Sequence, residues 1–194
     1  TVVEMKEWIL NTILDEEASA VEEKTLTQAG VSIVTGHTVA EILGNRLVDG
    51  VLLDDGERIP CNLVVVAIGV VPRTELVGGT GIKINRGIVV DRHMATSSPD
   101  VYACGDAAEA YDYIYGENRL TPIWPNAYIG GRIAGSNMAG VSTEYPGGTA
   151  MNSLKYFGLD IVSAGMVNPV DDSYEVLSKK YGNTYRKVVL RDGL

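Results

Sequence analysis

Residues 96–108 read TSSPDVYACGDAA, and the interpretation of the chain turns on them. Pro99 biases Ser98 away from the helical region. Val101-Tyr102-Ala103 predicts a very short buried strand. Gly105 permits a tight turn, which leaves Asp106 just past the strand end with the small residues Ala107 and Ala108 behind it. In open α/β sheets, ligands lie beyond the carboxyl ends of strands. An acid so placed can accept hydrogen bonds from hydroxyls of a bound molecule. The ordinary role of an acid after a strand is instead a turn or helix cap. The local sequence leaves both roles open.

Upstream, Leu63-Val64-Val65-Val66-Ala67-Ile68 is a continuous apolar run and predicts a central parallel strand buried on both faces. Gly69 ends it, and Pro72 stops any continuation. Ile82, Ile84, Ile88 and Val90 supply short strand pieces at period two around Asn85-Arg86-Gly87. Downstream, Tyr111–Gly116 reads as a loop. Thr121-Pro122-Ile123-Trp124-Pro125 then leads into a helix over Asn126–Ala139. Its Gly130, Gly131 and Gly135 lower helix propensity but permit close packing on a sheet or ligand.

The first residues, Thr1-Val2-Val3, predict a strand that begins in mid-run, with Glu4 at its end. Asp15-Glu16-Glu17 opens a helix whose apolar face is Ala18, Val21, Leu26 and Ala29, and Gly30 suits its C-terminal stop. Val31–Val34, His37–Leu43 and Arg46–Leu53 predict antiparallel strands with glycine turns between them, followed by an Asp55-Gly56 turn. His37 reads as structural or partly exposed. Pro146-Gly147-Gly148 marks a boundary. Ile161–Met166, Tyr174–Ser178 and Tyr185–Leu190 predict further strands, and Asp192-Gly193-Leu194 a hairpin turn just entered. The chain is expected to be a segment of a longer protein.

Sixteen Lys and Arg stand against 25 Asp and Glu, a net charge of −9, and no basic groove is legible, which disfavours nucleic acid. No apolar run reaches membrane-spanning length, and the start lacks a signal-peptide pattern. Cys61 and Cys104 form no C-x-x-C pair, so both are expected to be buried, inert thiols. His37 and His93 sit in no metal-ligand motif, and no metal site is expected.

Taken in order, VVEM, LVVVAIGVVPRTELV, GIVVDRHMATSSPDVYACGDAAEA and WPNAYIGGRIAGSNMAG are more specific than any one of them. Together they resemble the FAD-dependent pyridine nucleotide–disulfide oxidoreductases. The similarity is strongest to NADH oxidases, coenzyme A-disulfide reductases, ferredoxin and rubredoxin reductases, and the FAD-containing parts of nitrite reductases. The resemblance implies an α/β fold: partial Rossmann-like NAD(P)H and FAD domains, three-layered with a β-meander, plus the start of an α+β interface domain. Residues 1–72 would be the later part of the NAD(P)H domain, 73–148 the returning part of the FAD domain, and 149–194 the beginning of the interface domain.

The resemblance also implies roles. Asp106 would bind a ribityl hydroxyl of FAD, Gly105 would allow the close approach of the flavin chain, and Ala107 would follow them. Trp124, Pro125, Asn126 and Ala127 would place a helix start at the flavin's pyrimidine edge, where free amides stabilise negative charge. Glu109 and Tyr111 are further neighbours. Glu4 would contact the ribose of NADH and disfavour NADPH by repelling its 2′-phosphate. Ile68 and Gly69 would lie near the nicotinamide. No catalytic residue is identified; the family's redox cysteine, where present, lies upstream of the residues matched here.

Three departures limit these expectations. Neither glycine-rich dinucleotide turn is in the chain, Asn62 replaces an acid, and Arg86-Gly87 replaces paired glycines. The chain alone is expected neither to hold FAD normally nor to turn over. The whole protein is expected to pass hydride from NADH to FAD, and then electrons to a small-molecule disulfide, oxygen or a small electron-transfer protein. It is expected to be a cytoplasmic homodimer. The alternatives are a reductase component donating electrons to rubredoxin, ferredoxin or a nitrite reductase, and a non-catalytic interaction module of the same fold.

Overall fold

The computed structural model describes residues 1–193, so the turn expected at Asp192-Gly193-Leu194 lies partly outside the described residues. In chain order the elements are β1 (Val2–Glu4), α1 (Glu16–Gln28), β2 (Ile33–Thr35), β3 (Val39–Gly44), β4 (Val48–Leu53) and β5 (Arg58–Pro60). There follow β6 (Ile88–Val89), β7 (Ala108–Asp112), β8 (Glu117–Arg119), α2 (Trp124–Met138), β9 (Met151–Tyr156), β10 (Leu159–Ala164), β11 (Glu175–Tyr181) and β12 (Thr184–Leu190). They form two units: Thr1–Ile68 with Asn152–Ser163 and the segment from Val167 onward, and Gly69–Met151 with Ala164–Met166. No helix among the described residues is long and apolar enough to cross a membrane.

In the first unit, β1 and β2 pair in parallel, Val2 opposite Ile33 and Glu4 opposite Thr35, with α1 as the crossover between them. Asp15 caps α1, its Oδ1 accepting from the Ala18 amide at 2.9 Å, and Glu16 and Glu17 complement the helix dipole. The buried positions of α1 are Ser19, Val21 and Glu22. Of the expected apolar face, only Val21 is buried. The seam is polar because its partners are polar. Ser19 Oγ donates to the Ile9 carbonyl at 2.9 Å, while Tyr185 and Lys187 of β12 donate to Asp15 Oδ2 at 2.8 and 2.7 Å. β3 and β4 pair antiparallel as expected, and β5 extends them into a meander. Val31–Val34, expected to join them antiparallel, instead supplies most of β2, which pairs in parallel with β1 because α1 carries the chain back to run in the same direction. β9–β10 and β11–β12 are two-stranded pairs.

The run Leu63–Ile68 is not a buried strand. Leu63 and Val65 are each 78% exposed and Ile68 is 93% exposed. A doubly buried strand needs a hydrogen-bonded neighbour at each edge and a layer over each face. No strand among the described residues pairs with this run.

In the second unit, β6 and β7 pair in parallel, Ile88 with Ala108 and Val89 with Glu109, and β8 returns antiparallel to β7. α2 packs on this sheet through a core of Val90, Met94, Ala108, Ile133, Ala134 and Tyr145. Gly130 lets it sit close, since a Cβ there would lie 3.1 Å from Met94 Cε. α2 starts at Trp124, two residues before the expected start, because Pro125 is tolerated in a first turn whose amides have no helical acceptor.

Two expectations fail in this unit. Val101–Ala103 is not a strand but a single bridge, Tyr102 opposite Ala95, closed by the Thr96 amide on the Val101 carbonyl at 2.9 Å. The turn at Ser98–Asp100, with Asp100 at φ +61°, folds the segment back before a ladder can extend. Tyr111 and Asp112, read as loop, belong to β7, because β8 pairs with them. Glu109 is buried and clamps the approach to β6. Its carboxylate accepts from the Arg86 amide at 2.7 Å, the Gly87 amide at 2.9 Å and Asn85 Nδ2 at 3.2 Å.

Candidate cofactor site

The site is built where the turn after Cys104 meets the start of α2. Gly105 takes φ +74° and opens a 3-10 turn over Gly105–Ala107. The nearest atom to a side chain added at Gly105 is Ala127 Cβ, at 3.8 Å. This turn and the first turn of α2 therefore face each other. Between them lies a cleft lined by Gly105, Ala108, Tyr111, Arg119, Asn126 and Ala127. Three of the residues assigned to FAD by resemblance, Gly105, Asn126 and Ala127, are brought together here, whereas Asp106, Ala107, Trp124 and Pro125 flank the cleft in sequence without lining it.

Asp106 is exposed, and its carboxylate has no hydrogen-bond partner among the described residues. It does not cap the turn, so the ordinary role of an acid in this position is not the one it performs. The start of α2 is equally open. Its N-cap, Ile123, supplies no side-chain acceptor, and Pro125 contributes no N–H. The Trp124 and Asn126 amides are thus oriented at a helix start of positive partial charge. Asn126 Nδ2 holds the Thr149 carbonyl at 3.3 Å, which fixes this end of the helix. A free acid and free first-turn amides on opposite sides of a glycine turn fit a flavin's ribityl hydroxyls and its pyrimidine edge.

Trp124 is 80% exposed and stacks on Tyr128 with ring centroids 5.9 Å apart, so it is not a core residue. Cys104 is exposed, against the expectation of a buried thiol; Cys61 is half-buried. The reason for Cys104 is that it flanks α2 at Gly131 without being covered, a Cβ on Gly131 lying 3.8 Å from its Sγ. Glu109 is committed to the Asn85–Gly87 turn and does not line the cleft. Tyr111 does line it, beneath the Arg92 guanidinium at 4.3 Å.

Sequence reasoning did not single out Arg119, Thr121 or Tyr145, which also line the cleft. Arg119 stacks over Tyr115 at 3.8 Å and pairs with Glu117 at 3.0 Å. Tyr145 is buried, and burial, then Asp112, holds its hydroxyl above the usual range. Arg119 and Thr121 have only their proximity to the Tyr-rich stretch as a sequence signal, since β8, which delivers Arg119, lacks apolar alternation. Tyr145 has none, being brought in from thirty residues downstream of Tyr115.

On the nucleotide side, Glu4 ends β1 and its Oε1 accepts from the Lys6 amide at 2.8 Å. Ile68 is exposed, and Gly69 takes φ +95° with open space around it. The groove of the first unit runs between α1 and β2, past Glu23, Thr27, Ser32 and Thr35, and includes neither Glu4 nor Ile68. His37 Nδ1 lies 3.0 Å from Asp54 and 3.6 Å from Asp55, at the partly exposed end of the meander. The Asp54 hydrogen bond raises the pKa of His37.

The chain belongs to the pyridine nucleotide-disulphide oxidoreductase family, which residues 1–131 match, and residues 151–194 match the rubredoxin NAD+ reductase C-terminal domain. It is 31% identical to the nitrite reductase [NAD(P)H] of Bacillus subtilis over 194 residues, 98% of this chain and 23% of that protein. It is 35% identical over 145 residues to an NADH oxidase of Methanocaldococcus jannaschii, 74% of this chain and 32% of the relative. A solved FAD-dependent pyridine nucleotide-disulphide oxidoreductase from Desulfovibrio vulgaris superposes with a TM-score of 0.82 at 27% identity, over 91% of this chain and 46% of that one. The chain thus spans less than half the length of each of these three proteins. Members of the family are NAD(P)H-dependent oxidoreductases that work with FAD.

Proposed function

We propose that this chain supplies the ribityl- and pyrimidine-facing half of an FAD site, with part of an NADH-binding segment, in a flavoprotein oxidoreductase. The observation that carries the reading is the juxtaposition of Gly105 with the uncapped start of α2 across one cleft, with the unpartnered carboxylate of Asp106 next in the same turn. Bound there, FAD would accept hydride from NADH and release electrons to an acceptor. Asp106 would fix the ribityl chain by accepting its hydroxyl protons. The Trp124 and Asn126 amides would hold the edge on which negative charge develops. Gly105 would keep the turn free of a side chain. Glu4, Ile68 and Gly69 would serve NADH, Glu4 by accepting from its ribose and repelling a 2′-phosphate.

In this reading residues 1–72 belong to the NAD(P)H domain, 73–148 to the FAD domain and 149–194 to an interface domain of a homodimer. The acceptor is a disulfide, oxygen or a small electron-carrier protein. The match of residues 151–194 to a rubredoxin reductase domain favours the carrier. The test is anaerobic addition of NADH or NADPH to the FAD-loaded protein, followed by the flavin absorbance. The expected result is bleaching at lower NADH than NADPH concentration, with colour restored by the acceptor. Failure of the whole protein to take up FAD, or uptake without bleaching, supports a non-catalytic module instead.

A further inference from the structure

The net charge of −9 conceals a cationic segment: residues 179–191 hold five of the sixteen Lys and Arg and no acid. This segment is most of the β11–β12 hairpin, whose seven-pair antiparallel register assigns each side chain to a face. On one face, Tyr185 and Lys187 are half-buried and reach Asp15 of α1. The opposite face carries Glu175, Leu177, Lys179 and Tyr181 against Leu190, Val188, Arg186 and Thr184, with the acid at the far end from the two cations. All but Leu190 are exposed; Leu177 and Val188 are each about half exposed and Tyr181 is 84% exposed. Lys179 and Arg186 are direct cross-strand partners, and neither has an ion pair among the described residues. Like charges set opposite each other weaken a strand pair. On the inward face Lys187 has its acid and Lys180, exposed, has none among the described residues, whereas the outward two stand directly opposite and repel each other.

We propose that this outward face is a docking surface for an acidic protein, whose carboxylates would lie between Lys179 and Arg186 while Leu177, Val188 and Tyr181 cover its apolar margin. Charge complementarity selects the occupant: two adjacent cations with aliphatic and aromatic neighbours form a compact mixed patch of the kind protein interfaces use. A nucleic-acid backbone needs a longer basic track and meets the net negative charge of the rest of the chain. Lysines on an edge strand also deter strand pairing. That role accounts for β11 but not for Arg186 opposite, nor for the open Leu177–Val188 pair.

The choice of probe rests on the oxidoreductase reading; the surface does not. The experiment is a titration of the whole protein with a rubredoxin of net negative charge at low and at moderate salt. Lys179→Glu/Arg186→Glu should weaken binding at least tenfold at low salt and flatten its salt dependence. Lys155→Glu, an exposed cation on β9, should change it less than twofold. The neutral pair Lys179→Gln/Arg186→Gln, checked by circular dichroism alongside the reversal, guards against a misfolded hairpin and should show the same loss in smaller measure. The proposal is overturned if the wild type does not bind, if the double variant binds within twofold of wild type, if Lys155→Glu loses as much, or if a DNA duplex binds more tightly than rubredoxin. FAD uptake is read in the same samples. Binding through Lys179 and Arg186 without FAD upholds the surface and sinks the flavin reading, and FAD uptake with unaltered rubredoxin binding does the reverse.

Discussion

The run Leu63–Val71 and the turn Cys104–Ala107 behave in opposite ways. The first has the strongest apolar pattern in the chain, yet it lies open, with Val71 88% exposed. The second has almost no pattern, yet it is bracketed by α2 on one side and by the core strand β7 on the other. An apolar run records that a segment suits burial; it does not supply the surface that buries it. The turn needs no large surface. A glycine at positive φ and a neighbouring helix start are enough to define it, and both are local.

Substitutions should separate the two regions sharply. Glu109→Ala leaves the Arg86 and Gly87 amides and Asn85 without their acceptor inside the second unit. It should cost about 3 kcal/mol in urea unfolding, because buried donors lose a charged partner. A loss under about 1 kcal/mol would mean that the clamp contributes little to this region. Lys187→Met, in the polar seam of the first unit, should cost about 2 kcal/mol, since the carboxylate of Asp15 keeps only its Tyr185 and Ala18 donors. At the other extreme, Val65→Ser should change stability by less than about 0.5 kcal/mol, as expected for an exposed position. A large loss there would show that the run is covered in solution.

The seam also sets a pH window. Burial works to raise the pKa of Asp15, but the donors Lys187, the Ala18 amide and Tyr185 outweigh it and hold the carboxyl below its usual 3.8. A depressed carboxyl contributes stability that is present above the usual value and is lost as pH falls through the folded one. Burial first, then Asp15, pushes Tyr185 up to about 12 from 10.0. Its contribution is intact below pH 10 and is lost as pH rises towards 12. Trp8, whose indole N–H donates to the Leu14 carbonyl beside Asp15, reports on the seam. In a Trp124→Phe background its fluorescence should hold steady between those limits, and Lys187→Met should narrow the acid side.

The parts of the fold that were legible in the sequence are those with local causes. Asp15 and its following acids mark the start of α1, and the glycine turns mark the β3–β5 meander. Alternation marks β12, and the motif order marks Gly105 and Asp106. What was not legible depends on partners far along the chain. Asp15 meets Tyr185 and Lys187 across separations of 170 and 172 residues, so no local pattern foretold a polar face on α1. Glu109 looked like a neighbour of the site because nothing nearby showed that Arg86 and Gly87 would claim it. β8, Glu-Asn-Arg, has no apolar alternation and is a strand only because β7 pairs with it. Missing β8 also hid Arg119 from the cleft.

The claim that the Gly105–Ala127 cleft holds the flavin is tested most directly by FAD titration of the whole protein and of two variants from the same short stretch. Asp106→Ala should weaken FAD binding at least tenfold, while Asp100→Ala, an exposed turn acid five residues before the cleft glycine Gly105, should leave it unchanged. Unchanged affinity in Asp106→Ala, or an equal loss in both variants, would contradict the account.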